Sequence, residues 1–550
     1  MTINRRGFLA RTVAGVGLAA TGLSGGALAQ DGSLETQRRQ AARRTRRIIF
    51  NNDGDDAWRA TEPTTEAFLA TRLAPCVDTQ VDSVFYCTTE DTGAYTHRSK
   101  IAELFTRPHP GIPISSEVRL VEALAKQGTD VLQVALEFLH GHGKEVFWSH
   151  RMNGMEDMVA PFLLGKYKAD HPEWWLGKPG DDAKYAGGDH RHWYKVFDYG
   201  VPQVREYVLS IIKEVIDNYD IDGVELDYLR DPWLFKETYS DPVVAVTEEH
   251  CGVMVDFHRR VRAMLDAKGR RVGRPVLLAL RVPKWLELSR YLGLDIEATL
   301  DSGAVDILVG SGGYTPFAVP PRPFIDLAHS YGVPAYICIS ASGMRSRGKD
   351  SLRAEMPAWR GAATNLWDAG ADGQYIFNTM PNEGELALQV MRQIGDLSTM
   401  ADKQALFALD SWETVKDAGW CNLAINRDEL LPVTVSDKDG ALCDFYVGMD
   451  EGCLKRSQLS LRVYLRGAAE TDRITIQLNG RALPTIEGEA VASEYVDIPL
   501  TADHVKGRIN RLRARVEGAQ ARETPVELDH FELSVVPGSA SDSVAGGRMM

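Results

Sequence analysis

Tyr219-Asp220-Ile221-Asp222-Gly223-Val224-Glu225-Leu226-Asp227-Tyr228-Leu229-Arg230 reads as a turn, a short strand and the start of a loop. Gly223 opens the strand. Successive side chains then point to opposite faces, so Glu225 and Asp227 share one face while Val224 and Leu226 share the other. Two carboxylates turned toward a protein interior are costly unless they are paired or used. A closed parallel barrel accommodates them, because its inward face ends in a polar mouth at the C-terminal ends of the strands, with Asp227 nearer that mouth than Glu225. Carboxylates one layer apart repel, so one is expected to be protonated or held by arginine, tyrosine or amide donors.

Working outward, the same rhythm of short apolar strand, polar loop and amphipathic helix runs from Arg47 to about residue 401. The strand candidates are Ile48–Asn52, Ser83–Thr88, Glu145–Ser149, Gly223–Tyr228, Pro275–Val282, Asp306–Gly310, Pro334–Ser340 and Gln374–Asn378. Eight strands alternating with helical patterns predict an α/β fold, a (β/α)₈ TIM barrel over residues 47–401; a doubly wound open sheet with insertions is the alternative. Val204, Val208, Ile211, Ile212, Val215 and Tyr219 recur at helical spacing after Pro202, and Val253, Phe257, Val261 and Leu265 form a second stripe. A third helix is expected over 355–367, stopped by Gly370.

Beyond Asp402 the texture changes to alternating segments: Ser457–Leu465, Asp472–Leu478, Glu494–Leu500, Asn510–Val516 and Val526–Val536. These predict an antiparallel β-sandwich over 402–536, with a small polar tail over 537–550. Cys443 and Cys453 flank a turn there and are candidates for pairing; Cys87 and Cys338 lie in apolar strands and read as small buried hydrophobes. At the other end, Arg5-Arg6, the Gly- and Ala-rich run to Leu28 and Ala27-Leu28-Ala29 predict a twin-arginine signal over 1–29, hence a periplasmic or secreted protein, followed by a polar linker over 30–46.

The 550 residues suit two or three domains. Formal charge of -14 argues against general attraction to nucleic acid or anionic membrane. After the expected cleavage site no run of about 18 residues is apolar enough for stable membrane insertion. Seven cysteines without zinc-type spacing, and the absence of phosphate-binding, dinucleotide and nucleophile-elbow motifs, lead us to expect no cofactor and no metal.

Polar groups gather at the expected mouth. Asn51-Asn52-Asp53 ends the first strand, Glu90 follows the second, Ser149-His150-Arg151-Met152-Asn153 leaves the third, the fifth carries Arg281 and the last ends at Asn378. Arg151, Asn153 and Arg281 are the donors best suited to hydroxyls or a carboxylate. The long loop from Asn153 to Tyr199 holds His171, Trp174, Trp175, His190, His192, Trp193 and Tyr194. Aromatic planes there suit the C–H faces of sugar rings, or simply pin the loop to the barrel.

Arg151-Met152-Asn153, His171-Pro172-Glu173-Trp174, Asp198-Tyr199, Asp222 to Arg230 and Ala371 to Asn378 together resemble a group of bacterial glycoside-hydrolase-like (β/α)₈-barrel proteins whose strand-four motif ends in Asp-Tyr-x-Arg. The resemblance spans about residues 45 to 400. It implies hydrolysis of a glycosidic bond with a carbohydrate as the partner, and matches Asp227 to the strand-four acid. Many retaining barrels carry a second acid at strand six or seven; here those strands end Gly310-Ser311-Gly312 and Ile339-Ser340-Ala341, without a carboxylate. The second acid is therefore expected to be Glu225, if it reaches the mouth, or Asp53, Glu90, Glu156 or Asp157. Tyr228, Arg230 and Arg151 are the donors expected to keep Asp227 charged. The alternative is a carbohydrate-binding protein on a barrel that has lost its chemistry. A metal-assisted enzyme using Asp53, Asp55, Asp56 or the loop histidines is a third reading.

Overall fold

The computed structural model describes residues 25–106, 116–154, 164–179, 181, 193–229, 232–240, 246–312, 320–340, 346–347, 350–351, 355–410, 431–435, 440–487, 495–517 and 525–538. Eight parallel strands close into a barrel: β1 (Ile48–Asn52), β2 (Val81–Cys87), β3 (Glu145–Arg151), β4 (Gly223–Asp227), β5 (Leu277–Pro283), β6 (Ile307–Ser311), β7 (Ala335–Ser340) and β8 (Gln374–Phe377). They neighbour one another in chain order, and β8 closes on β1. Closure excludes the open doubly wound sheet.

The alternation of each strand sorts the core in two. Ile49, Phe85, Phe147, Leu277, Ala279, Ile307, Val309, Tyr336, Tyr375 and Phe377 fill the barrel, while Val224, Leu226, Trp148 and their counterparts meet the helices. Phe85 and Phe147 stack at 4.4 Å in the interior, with Tyr375 edge-on to Phe85 at 5.9 Å. The Phe147 ring fills the space beside β4 so fully that a Cβ on Gly223 would lie 2.1 Å from it. Gly223 is therefore a packing requirement of the barrel floor, and above that floor Glu225 begins the polar layer.

The expected linker over 30–46 is instead structured. Helix α1 (Gly25–Ala42) leads to Arg46, and the described part is tied to the barrel's N-terminal end. Arg38 pairs with Asp306 at 3.2 Å, and the fully buried Arg46 forks onto Glu145 at 2.6 and 2.8 Å. A polar, charged segment looked like a linker because its charges are matched only by partners distant in sequence. The twin-arginine motif lies in residues 1–24, outside the described residues, and most of the expected tail lies in 539–550, also outside them.

Helices α2 (Pro202–Asn218), α3 (Glu248–Val272) and α4 (Met356–Ala369) lie where the apolar stripes place them. Gly370, at φ 95°, ends α4. Among the described residues no helix is long and apolar enough to cross a membrane.

The C-terminal strands are β9 (Ala405–Asp410), β10 (Ala441–Val447), β11 (Ser457–Arg466), β12 (Arg473–Leu478), β13 (Val496–Leu500), β14 (Arg508–Glu517) and β15 (Glu527–Pro537). One antiparallel sheet runs β9-β15-β11-β13 and the other β10-β14-β12, with short strands at their margins. Leu512, Ala514 and Val516 point into the core between them, where Phe445 meets Phe531 at 5.0 Å. Cys443 and Cys453 are free thiols, one in that core and one on a short helix, so the pairing considered for them does not form. The sandwich docks on α4, where a Cβ on Gly361 would approach the Leu406 carbonyl oxygen to 1.8 Å. Asn365 on α4 donates to the Tyr446 carbonyl at 3.0 Å and accepts from Gly448 N–H at 2.7 Å.

Candidate active site

Register places the inward residues of the strands in layers. Arg151, Asp227 and Arg281 are paired neighbours on β3, β4 and β5, and Ser149, Glu225 and Ala279 lie one layer below. Glu225 is wholly buried in that lower layer. Its carboxylate accepts from Ser149 Oγ at 2.5 Å, Tyr375 Oη at 2.8 Å and Asn51 Nδ2 at 3.2 Å. Asn51 also donates to Tyr375 Oη at 2.7 Å, so β1, β3, β4 and β8 are joined by one polar ring. Burial, and then the charge of Asp227, push the Glu225 carboxyl up to about 8, against the opposing pull of Arg281, Ser149 and Tyr375. At neutral pH Glu225 is mostly protonated.

Asp227 occupies the upper layer and is 2% exposed. Its Oδ2 accepts from Arg281 Nη1 at 2.9 Å and its Oδ1 from Leu229 N–H at 2.9 Å. Arg281 is fully buried, its guanidinium 4.2 Å from the Phe377 ring centroid and 5.5 Å from that of Tyr375. Burial is the largest single influence and opposes its charge, but Asp227, Tyr375, Cys338 and Glu225 together outweigh it and raise the guanidinium pKa. The buried centre thus sets the Arg281 guanidinium on Asp227, with the Glu225 carboxyl one layer below.

The other expected residues separate by position. Arg151 faces inward and donates to the Thr89 carbonyl at 3.2 Å and the Asp53 carbonyl at 3.4 Å, drawing together the ends of β1, β2 and β3. Asp53 and Asn378 are half-buried just past the ends of β1 and β8; Asn378 adopts φ 50°, a left-handed conformation that asparagine tolerates. Glu90 lies on a three-residue strand, Thr89–Asp91, but its side chain is outside what is described, as are Arg230, Glu156, Asp157, His190 and His192.

Several of the expected residues make other contacts in the structure. Glu225 does not reach the mouth: it lies beneath Asp227, where it bears on Asp227 electrostatically and cannot meet a leaving oxygen. Tyr228 points away from the mouth, with its hydroxyl 2.7 Å from Nε2 of His258 on α3. That direction follows from strand alternation, since residue 228 is out of phase with 225 and 227. Asn153 anchors loops: it donates to the Phe197 and Trp233 carbonyls at 3.2 and 2.9 Å and accepts from Phe197 N–H at 3.1 Å. Trp174 and His171 stack on each other at 3.9 Å, with Trp174 buried and tilted against Tyr167, which stacks on Tyr207 of α2. These rings fasten the loop to the helical layer.

The acidic turn after β1 is internally paired. Asp55 pairs with Arg59 and Arg72, and Asp56 accepts from Asn52 at 2.9 Å and Tyr86 at 2.8 Å. Among the described residues no group of three or more His, Cys, Asp or Glu is placed to hold a metal ion. The residues that single-residue reading underweighted are Asn51, Ser149 and Tyr375. Their inward phase on β1, β3 and β8 was the available signal.

Residues 110–240, which include β3 and β4, match the family model Glycosyl hydrolase-like 10. No curated protein matches the chain. Among solved structures, the glycoside hydrolase domain of PgaB (BpsB) from Bordetella bronchiseptica is 11% identical over 64% of this chain and 99% of its own, with a TM-score of 0.42. Alpha-L-fucosidase isoenzyme 2 from Paenibacillus thiaminolyticus is 14% identical over 68% of this chain and 52% of its own, at 0.40. A Paenibacillus sp. cycloisomaltooligosaccharide glucanotransferase is 10% identical over 89% of this chain and 57% of its own, at 0.33. This chain thus spans little more than half the length of the last two, and likenesses this distant carry no argument about the site. The chain carries a (β/α)₈ barrel, and its residues 110–240 match the family model Glycosyl hydrolase-like 10.

Proposed function

We propose that the barrel hydrolyses a glycosidic bond in a poly- or oligosaccharide. The observation that carries the reading is the stacked pair on β4: an Arg281-held Asp227 at the C-terminal end of the strand, over a wholly buried Glu225 whose carboxyl pKa burial raises. Asp227 acts as the ionised carboxylate, attacking the anomeric carbon or activating water with the lone pairs that Arg281 and Leu229 leave available. Neutral Glu225 spares Asp227 a second buried anion. The leaving oxygen is protonated by a carboxyl on the rim, and Asp53 is the described candidate, tied through its backbone to Arg151 on β3. In this reading the twin-arginine segment exports the enzyme to the periplasm or beyond, and Arg5→Lys with Arg6→Lys abolishes export.

The test is release of reducing ends from plant, algal and bacterial polysaccharides by the purified chain and its Asp227→Asn and Asp53→Asn variants. Hydrolysis lost in Asp227→Asn supports the proposal; full activity in that variant ends it. The near-complete burial of Asp227 and its ion pair favour a second reading, a barrel that binds glycan without cleaving it. That reading expects glycan retention by the unaltered chain with no reducing ends released on long incubation.

A further inference from the structure

We propose that the outer face of the β9-β15-β11-β13 sheet holds a second carbohydrate site, which takes one neutral sugar residue. The face is built in rows across strands. Ser460 on β11 pairs in register with Ser534 on β15, Arg462 with Glu532 and with Asp497 on β13, and Tyr464 with His530. These residues line or border a cleft of about 290 Å³, walled on the barrel side by Glu355 at the start of α4. That volume is at the small end of the ~300–1,000 Å³ of small-molecule sites, and suits one pyranose ring better than a chain.

The cleft is preorganised. Arg462 forks onto Asp497 at 2.9 and 3.2 Å, which fixes the plane of its donors. Glu532 is only 8% exposed although it lies on the outer face, and His530 holds it at 2.7 Å. Gln404 donates to Ser534 Oγ at 3.1 Å. Hydroxyls, an amide, carboxylates and a guanidinium therefore converge with both donors and acceptors, the mixture that a ring of hydroxyls requires. At one side Tyr495 lies 5.4 Å from Tyr464 and beneath the Arg462 guanidinium at 5.7 Å, adding aromatic surface for C–H faces. Glu355, Asp497 and Glu532 outnumber Arg462 in charge, so a uronic or sulfated sugar is repelled and a neutral one accepted.

The ligand class rests on the proposed function, but the site does not need hydrolysis to operate. Saturation-transfer NMR on the full chain, with D-glucose, D-galactose, D-mannose, D-xylose and N-acetyl-D-glucosamine as probes, tests it. At least one neutral sugar is expected to bind, with affinity falling about tenfold in Arg462→Ala, the scale of one charged hydrogen-bonding group. Ser534→Trp, which fills the cleft while leaving Arg462 in the sequence, is expected to abolish the same signal, Asp227→Asn to preserve it, and D-galacturonate to give none. Absence of any neutral-sugar signal, a signal indifferent to both cleft substitutions, or equal binding of D-galacturonate overturns the proposal. Hydrolysis that persists in Ser534→Trp while this signal is lost separates the barrel from the cleft.

Discussion

Replacing Arg281 with methionine tests whether Asp227 is a desolvated anion. Arg281 is fully buried and the Asp227 side chain is 3% exposed, so the 2.9 Å pair between them is shielded from water on both sides. Removing one member leaves a buried carboxylate above a second acid, and a loss of about 3–5 kcal/mol is expected. Asp227→Leu alone strands the guanidinium, leaving it the Ser311 hydroxyl at 3.4 Å, the Cys338 thiol and the Phe377 and Tyr375 rings, and is expected to cost a similar amount. The double variant removes both charges and is expected to return close to the parent, or slightly above it, because paired burial contributes little net stability over apolar replacement. The singles and the double thus define a coupling of several kcal/mol. Denaturant unfolding followed by tryptophan fluorescence reads this, since Trp148, Trp233 and Trp359 are buried in the barrel. A single-variant loss below about 1 kcal/mol, or additivity within ~0.5 kcal/mol, refutes the reasoning.

Other outcomes follow from the same geometry. Because the folded-state pKa of Glu225 is raised from 4.5 to about 8, the unfolded chain sheds this proton first; the group therefore makes stability fall as pH rises from about 4.5 to about 8. Glu225→Gln should remove that slope, so its stability relative to the parent improves by on the order of 3–5 kcal/mol between those limits, read from denaturation midpoints at each pH. Tyr228→Phe loses only the contact with His258 and should cost about 1 kcal/mol while leaving glycan hydrolysis or retention unchanged. Asn153→Ala leaves three loop backbone groups without their partner and should cost on the order of 3 kcal/mol, with faster proteolysis in the 164–199 loop. Gly361→Val drives a side chain into the Leu406 carbonyl and should loosen the sandwich from α4, seen as limited proteolysis between the two units.

Much of the fold was legible because it rests on local periodicity. Val224 and Leu226 against Glu225 and Asp227 set the phase of β4, and the same alternation located the other barrel strands to within a few residues. Gly370 and Pro202 marked helix ends through backbone constraints visible in one residue. The helix before β1 was missed because Arg38 and Arg46 find their carboxylates on Asp306 and Glu145, far away in sequence. Strand β9 was missed for a related reason: Leu406 and Ala408 face the barrel, so β9 is apolar on both sides and lacks the half-polar alternation.

At the site, Asp227 and Arg281 were found separately, but their pairing required the β4–β5 register. Trp174 and His171 left two readings open, because stacking on each other and serving as a sugar wall demand the same residue types. Tyr228 misled through adjacency to Asp227, although strand phase already turned it outward. The ring of Asn51, Ser149 and Tyr375 around Glu225 was the least legible, because each residue is unremarkable until closure brings three strands beside β4.

The most direct measurement is a crystal structure of the Asp227→Asn chain with an oligosaccharide from the polysaccharide that it retains. The account expects an anomeric carbon about 3–3.5 Å from the residue 227 side chain, with a rim carboxyl against the glycosidic oxygen. A sugar seated elsewhere, over a mouth still sealed above residue 227 and Arg281, contradicts it.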